Sequence, residues 1–400
     1  MFFVPLHENR YTMTTKHLSL ALGIVAGCAI TLIGCKTTKT QTKTQTQTST
    51  QTQTMAQTIT KANTEEDFAF AMLKQSLTKQ ENVFLSPASA AVALGMLTPG
   101  ADGQTRQELE KIVPKVVITN TDQLKSASAM WLNEGFEVLP QYKQANADAE
   151  VYAGKITAPK VNKWASDHTN GKITKVLQEP MPRYEMILTN ALWFKAEWQH
   201  TFFPQNTKKE TFYGVAKAQS TKHNVPMMHQ TTHFPYTEND NFQAIRMDYT
   251  SEYCMDIILP REGKQISDVL AEVQALKWSE MDYKKVRLTL PKFKLDYERT
   301  LNDDLKAMGL QTCFSRQADF SLLSKTPVYV NIVKQNTYLA VDEEGTEAAA
   351  VTTIAMKAMA MPPRDEPIYE MNINRPFLLF IRETDTNRIL FFGTIYDISE

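Results

Sequence analysis

Residues 342–363 read DEEGTEAAAVTTIAMKAMAMPP. They include no aromatic side chain, and before Val351 there is almost no branched bulk. The stretch stands between runs that read as strands. Upstream, Val328, Val330 and Ile332 alternate with Tyr329, Asn331 and Val333; downstream, residues 376–381 and 389–398 are rich in Phe, Ile and Leu. A connection of roughly two dozen residues is far above the usual ~4–6, and loops of that length are usually functional or unstructured. Local preference within it is divided: Ala, Met, Lys and Glu favour helix, while Val351, Thr352, Thr353 and Ile354 favour strand. If the segment became a strand, Thr346, Ala348 and Ala350 would share one face, small enough to slide between two existing strands. On composition alone, a flexible loop or a short exposed helix is the simpler reading.

Residues 343–352 (EEGTEAAAVT) resemble the proximal hinge of the serpins. Residues 375–382 (RPFLLFIR), followed by 389–393 (ILFFG), resemble that family's C-terminal hairpin. Further matches follow in order: residues 82–109 (NVFLSPASAAVALGMLTPGADGQTRQEL), 164–177 (WASDHTNGKITKVL), 189–203 (TNALWFKAEWQHTFF), 225–228 (VPMM) and 290–305. The resemblance spans about residues 61–400 and implies the serpin fold: three β-sheets, eight or nine helices and an exposed reactive-centre loop. One departure stands out. Between Lys111 and Leu124 there is too little chain for the helix that many members carry there, so the helix D region is shortened. In some members that helix binds heparin. Here the only nearby bases are Lys111, Lys115 and Lys125, and no glycosaminoglycan control is expected.

The chain has 400 residues, 42% of them apolar, and a formal charge of −1. That size suits one large domain or two ordinary ones, and the charge gives no support to a nucleic-acid partner. At the N-terminus, Lys16 and His17 precede an apolar run over residues 18–33. The run is short of the ~20 residues a membrane span needs but suits a signal peptide, and Met13 is a plausible start. It ends Leu32-Ile33-Gly34-Cys35, similar to a bacterial lipobox. That implies a signal peptide over residues 1–35, cleavage before Cys35 and lipidation of its thiol. Val25-Ala26-Gly27-Cys28 fits the same pattern but leaves a shorter apolar run, so Cys35 is preferred. The alternative is an ordinary leader or an uncleaved anchor. Residues 36–60 are mostly Thr and Gln, too polar to repay the entropy of ordering, and read as a disordered tether with an r.m.s. span of roughly 25–30 Å. The expected protein is exported. It is either held by lipid at a bacterial outer membrane, on its periplasmic or outer face, or secreted. It is monomeric and touches the membrane only through that lipid.

The serpin-like domain occupies residues 61–400. Thr64 caps an amphipathic helix, and Ser86-Pro87 opens a second, apolar all round and therefore buried, that Gly100 and Gly103 end. Residues 125–133, 186–194 and 255–259 read as strands. Residues 159–168 read as a helix stopped by Asn170-Gly171. Residues 286–295 alternate across Pro291, and residues 302–310 make a short helix that includes Gly309. No βαβ rhythm or repeat appears, so the class is α+β.

Catalytic signatures are lacking: there is no Gly-x-Ser-x-Gly, His-Glu-x-x-His, Cys-x-x-Cys, Walker loop or Gly-x-Gly-x-x-Gly, so the chain does not read as an enzyme. His229 and His233 have helical metal-pair spacing with His223 nearby. Pro226 and Pro235 bracket them and argue against a helix, so no metal or other cofactor is expected. Cys254 and Cys313 could pair in an oxidising compartment, but they read more simply as buried apolar fillers.

The resemblance also implies site residues. The hinge comprises Glu343, Gly345, Thr346, Glu347, Ala348, Ala349, Ala350 and Val351. Ser86, Ser89, Asn190 and Gln335 match the shutter that gates the central sheet, and Trp198 matches the Trp beneath the breach at its top. Many members have His where Gln335 stands. Gln keeps donor and acceptor capacity but does not titrate. Counting fourteen residues from Gly345, as in the inhibitor of neutrophil elastase that this stretch most resembles, reaches Met359, followed by Ala360. A reactive bond at Met359–Ala360 suits elastase-, cathepsin G- or chymotrypsin-like proteases. A shifted register would instead put Lys357–Ala358 before a trypsin-like enzyme. The implied function is suicide inhibition, with a target serine protease (or a cysteine protease) held as a covalent acyl complex. The alternative is a non-inhibitory serpin: a carrier, chaperone or structural surface protein.

Overall fold

Thr64 opens the first helix with a reciprocal cap. Its hydroxyl accepts from the Asp67 amide at 3.1 Å, and the Asp67 carboxylate accepts the Thr64 amide at 3.2 Å. The computed structural model describes residues 64–346 and 366–399. In chain order the elements begin α1 (Glu65–Ser76), β1 (Val83–Leu85), α2 (Pro87–Gly95), α3 (Gly103–Ile112), β2 (Leu124–Leu132), α4 (Pro140–Ala145), β3 (Glu150–Ala153) and α5 (Ala158–His168). Next come β4 (Met186–Phe194), β5 (Ala196–Glu197), β6 (Lys208–Ala216), β7 (Gln219–Glu238), β8 (Phe242–Asp248), β9 (Tyr253–Pro260) and α6 (Ile266–Gln274). The last are β10 (Tyr283–Pro291), β11 (Phe293–Thr300), α7 (Asn302–Ala307), β12 (Val330–Val341), β13 (Gly345–Thr346), β14 (Ile368–Asn372), β15 (Phe377–Glu383) and β16 (Ile389–Ile395).

One sheet runs β3-β2-β4-β12-β13-β5, with β11 on the other side of β12. Its centre is a parallel pair, β4 beside β12, in which Asn190 stands opposite Gln335. β4 is buried at all nine positions; its run, apolar except for Thr189 and Asn190, suits a strand covered on both faces. The other sheet runs β1-β16-β15-β9-β8-β7-β10-β14, with β6 added to β7. Strand β7 is twenty residues long and serves three ladders: Tyr236–Glu238 pair with β8, and the rest with β6 and β10. The three expected sheets are therefore present, two of them sharing β7.

Helix α2 packs against β2, β4 and β16. Ala88, Ala90, Ala91, Ala93 and Leu94 are all buried, so small side chains let the helix sit close to the strands.

Several elements differ from the sequence expectation. Seven α-helices occur among the described residues, with four 3₁₀ turns. No helix forms between Val113 and Gln123, where the chain is short. Gly103 does not end α2; it starts α3, capped by the Asp102 carboxylate, which accepts the Gly103 amide at 2.8 Å. Gly309 lies beyond α7, in a left-handed conformation (φ 110°) that ends the helix. Residues 368–372 form β14, parallel to β10.

Candidate functional site

The chain leaves β12 at Val341 and turns sharply. The Asp342 carboxylate accepts the amides of Glu344 (3.0 Å) and Gly345 (3.2 Å), and the Asp342 amide donates to the Gly345 carbonyl at 3.0 Å. An Asp at the start of such a turn satisfies the free backbone donors. Gly345 and Thr346 then run back as β13, with Thr346 paired to Val341 on one side and to Ala196 on the other. Only glycine fits at 345, since a Cβ there would stand 2.1 Å from the Ala196 carbonyl oxygen.

Five contacts clamp this turn. The Trp198 indole donates to the Asp342 carbonyl at 3.0 Å, and its amide donates to the Glu344 carbonyl at 2.9 Å. Phe202 donates its amide to the Glu343 carbonyl at 2.8 Å. The Glu343 carboxylate takes the Lys292 ammonium at 2.7 Å and the Thr207 hydroxyl at 2.8 Å. Burial alone would raise the Glu343 pKa. The Lys292 and Thr207 hydrogen bonds outweigh it and hold the carboxyl below its ordinary value. Beneath, Trp198 stacks on Tyr249 at 4.4 Å, and the Tyr249 and Thr346 hydroxyls lie 2.7 Å apart. Burial pushes the Tyr249 phenol well up, so it stays neutral.

Lower in the sheet, Ser86, Ser89, Asn190 and Gln335 form one buried network. The Gln335 amide group accepts the Ser86 amide at 2.7 Å and donates to the Ser86 carbonyl at 3.0 Å and to Asn190 Oδ1 at 2.6 Å. Asn190 donates to the hydroxyls of Ser89 and, at 2.9 Å, Ser128. Ser89 and Ser126 hydroxyls lie 2.9 Å apart. The network joins α2, β2, β4 and β12, and its single direct link between β4 and β12 side chains is Gln335 to Asn190. The sequence reading included Ser86, Ser89, Asn190 and Gln335 but missed Ser126, Ser128 and Tyr249. These meet their partners only through long-range pairing, for which no local pattern exists.

The Glu366 carboxylate meets His233 and Lys285, each at 3.0 Å. These partners lower its pKa, His233 most. The other histidines that shared a candidate metal pattern face separate carboxylates along β7: His229 meets Glu210 at 2.9 Å, and His223 meets Asp397 at 3.4 Å. Among the described residues no group of three metal-ligating side chains gathers. Cys254 and Cys313 are unpaired and buried, and burial pushes the Cys313 thiol up to about 12. Residues Glu347, Ala348, Ala349, Ala350, Val351, Lys357, Ala358, Met359 and Ala360, and Cys35, lie outside the described residues.

Comparison with known proteins agrees with this architecture. A family model described as Serpin (serine protease inhibitor) matches residues 63–398. An uncharacterized serpin-like protein of Thermococcus kodakarensis is 31% identical over 83% of this chain and 84% of its own. Iripin-8 of Ixodes ricinus is 34% identical over 81% and 90%. Among solved structures, the thermophilic serpin Tengpin in its native state superposes with a TM-score of 0.74, 28% identity and coverage of 84% and 93%. Human thyroxine-binding globulin superposes with the same TM-score at 26% identity, over 84% and 98%. A family model spanning nearly all of the described chain and relatives above 30% identity leave one assignment: the protein belongs to the serpins, a family of protease inhibitors rather than enzymes.

Proposed function

We propose that this chain is a suicide inhibitor of serine proteases that works by loop insertion and is attacked at Met359–Ala360. The observation that supports this most is β13. Gly345 and Thr346 already occupy the first rung between β12 and β5, while below them β4 and β12 pair directly. β5 follows β4 with one residue between them, so β13 is the head of a strand lined up to divide the parallel pair. Dividing it replaces one parallel ladder with two antiparallel ones, the slightly more stable arrangement per residue.

The register says how far such a strand could run. Thr346 pairs with Val341 and Ala196, so continuing in step brings Ala348 beside Leu339 and Phe194, and Ala350 beside Thr337 and Leu192. Thr352 then comes level with Gln335 and Asn190. Near Met356 the strand reaches Met186, where β4 begins. Each added backbone hydrogen bond contributes roughly 0.5–1.5 kcal/mol net, and the residues sharing the Thr346 face are small as far as Thr352. In this mechanism the protease serine oxygen attacks the Met359 carbonyl, the Ala360 amine departs, and an acyl-enzyme ester forms. Insertion then drags the tethered protease away and distorts it before water cleaves the ester.

Three further parts of the reading rest on sequence: export and lipidation at Cys35, a tether over residues 36–60, and action as a monomer. The experiment is incubation with elastase-, chymotrypsin- and trypsin-like proteases, read on denaturing gels and by mass. The reading predicts a complex that survives SDS and a released peptide beginning at Ala360. A peptide beginning at Ala358 moves the bond to Lys357, and simple cleavage without any complex overturns inhibition.

A further inference from the structure

At the edge of the central sheet farthest from β11, the gap between β3 and α5 holds a cavity of about 390 Å³. Its wall is aromatic. Trp131 stacks on Tyr152 at 4.4 Å and 19°, and Trp164 meets Trp131 edge-on at 6.0 Å. Tyr152 is nonetheless 40% exposed, so one aromatic surface of the stack remains uncovered. The rim is basic: Lys155, Lys160 and Lys163 line the opening. Lys163 is paired with Asp167 at 2.8 Å, but Lys160 donates only to the Lys155 carbonyl at 3.3 Å, which leaves donors on its ammonium. The turn that brings Lys155 to the rim is fixed by Gly154, whose φ of 129° suits glycine and whose amide donates to the Leu132 carbonyl at 3.0 Å.

The carboxylate beneath this wall is turned to donors of the protein itself. Glu150 is occupied by three donors: the Trp164 indole, the Tyr152 hydroxyl at 2.9 Å and the His168 ring at 2.9 Å. Burial, with the Glu150 hydrogen bond, pushes Tyr152 up to about 12, so its phenol remains a donor to Glu150.

We propose that this cavity binds a small planar aromatic anion, with the ring against the Tyr152–Trp131 stack and the acid group held by Lys155 and Lys160. The volume lies in the range of small-molecule sites, which are mostly apolar with a few placed polar groups. Offset stacking orients the ring, and charge-assisted hydrogen bonds select the acid. The inference does not depend on how the reactive loop works.

The test uses the full chain and 8-anilino-1-naphthalenesulfonate, followed by tryptophan quenching and by calorimetry. One saturable site per chain is expected. Affinity should fall at least about tenfold in Tyr152→Ala, in the double variant Lys155→Glu/Lys160→Glu, and for the uncharged N-phenyl-1-naphthylamine on the unmodified chain. Both variants change exposed side chains, so unaltered thermal melting will show that they remain folded. Equal binding of the sulfonate by the unmodified chain and both variants overturns the proposal, and so does the absence of saturable binding.

Discussion

The Thr346 and Tyr249 hydroxyls lie 2.7 Å apart, with Thr346 fully buried and Tyr249 nearly so. The first residue of the returning strand therefore already has an interior partner in the intact protein. Thr346→Arg would force a guanidinium into that space without a carboxylate, at a cost of several kcal/mol. The variant should be cleaved as a substrate, with the SDS-stable complex reduced at least about tenfold. A densitometric ratio of complex to cleaved protein near that of the unmodified chain would disprove the link between this site and insertion.

Glu343 ties the hinge turn to Lys292 and Thr207, and its folded pKa lies below the ordinary carboxylate value. A depressed carboxylate pKa contributes stability above the unfolded value, near 4.5, and that contribution is lost as pH falls through the folded pKa. Glu343→Gln should therefore melt at a lower temperature than the unmodified protein at pH 7. The difference should shrink steadily below pH 4.5. Melting curves of the two proteins from pH 3 to 7 check this, and a constant gap would remove Glu343 from the account.

Gln335 and Asn190 join β12 to β4 through one side-chain hydrogen bond of 2.6 Å. A strand inserted in the register of β13 breaks that bond and brings the Thr352 hydroxyl level with both groups. A hydroxyl can donate and accept, so it can satisfy what the break exposes. Thr352→Val keeps the shape and removes that capacity. The intact form should be unchanged, while the cleaved form loses about 1–3 kcal/mol. Denaturant titration of both forms separates these outcomes, and equal loss in both would contradict the register.

Met359 is the proposed point of attack. Oxidation to the sulfoxide makes an apolar side chain polar, which should slow association with elastase- or chymotrypsin-like proteases several-fold. Stopped-flow association rates before and after mild peroxide treatment, with the site of oxidation identified by mass, give the answer. An unchanged rate with Met359 fully oxidised would place the scissile bond elsewhere.

Some of this architecture could be read from residues alone, where a local pattern had one physical meaning. The run of β4, apolar but for Thr189 and Asn190, suits a strand in mid-sheet, and Ser86-Pro87 before an alanine-rich segment suits the start of a buried helix. Gln335 and Asn190, more than a hundred residues apart, were grouped only by the resemblance to the serpins and by no local pattern. Other elements were hidden by residues with two uses. Gly103 looked like a stop and is a start, because Asp102 caps the helix it opens. Pro226 and Pro235 obscured β7. They are tolerated because each lies near a change of partner along that strand: Pro226 pairs only with β6, and Pro235 stands just before the β8 ladder begins. The contacts of Thr346 with Tyr249 and of Glu343 with Lys292 join distant segments with no local signal.

The most direct test is the melting temperature of the protein before and after a single cut in the loop near residue 359. If the loop inserts, the cut chain gains a full central strand, and its melting temperature should rise far above that of the intact protein. A cut protein that melts at the intact temperature has no more stable state to enter, and inhibition by insertion would be contradicted.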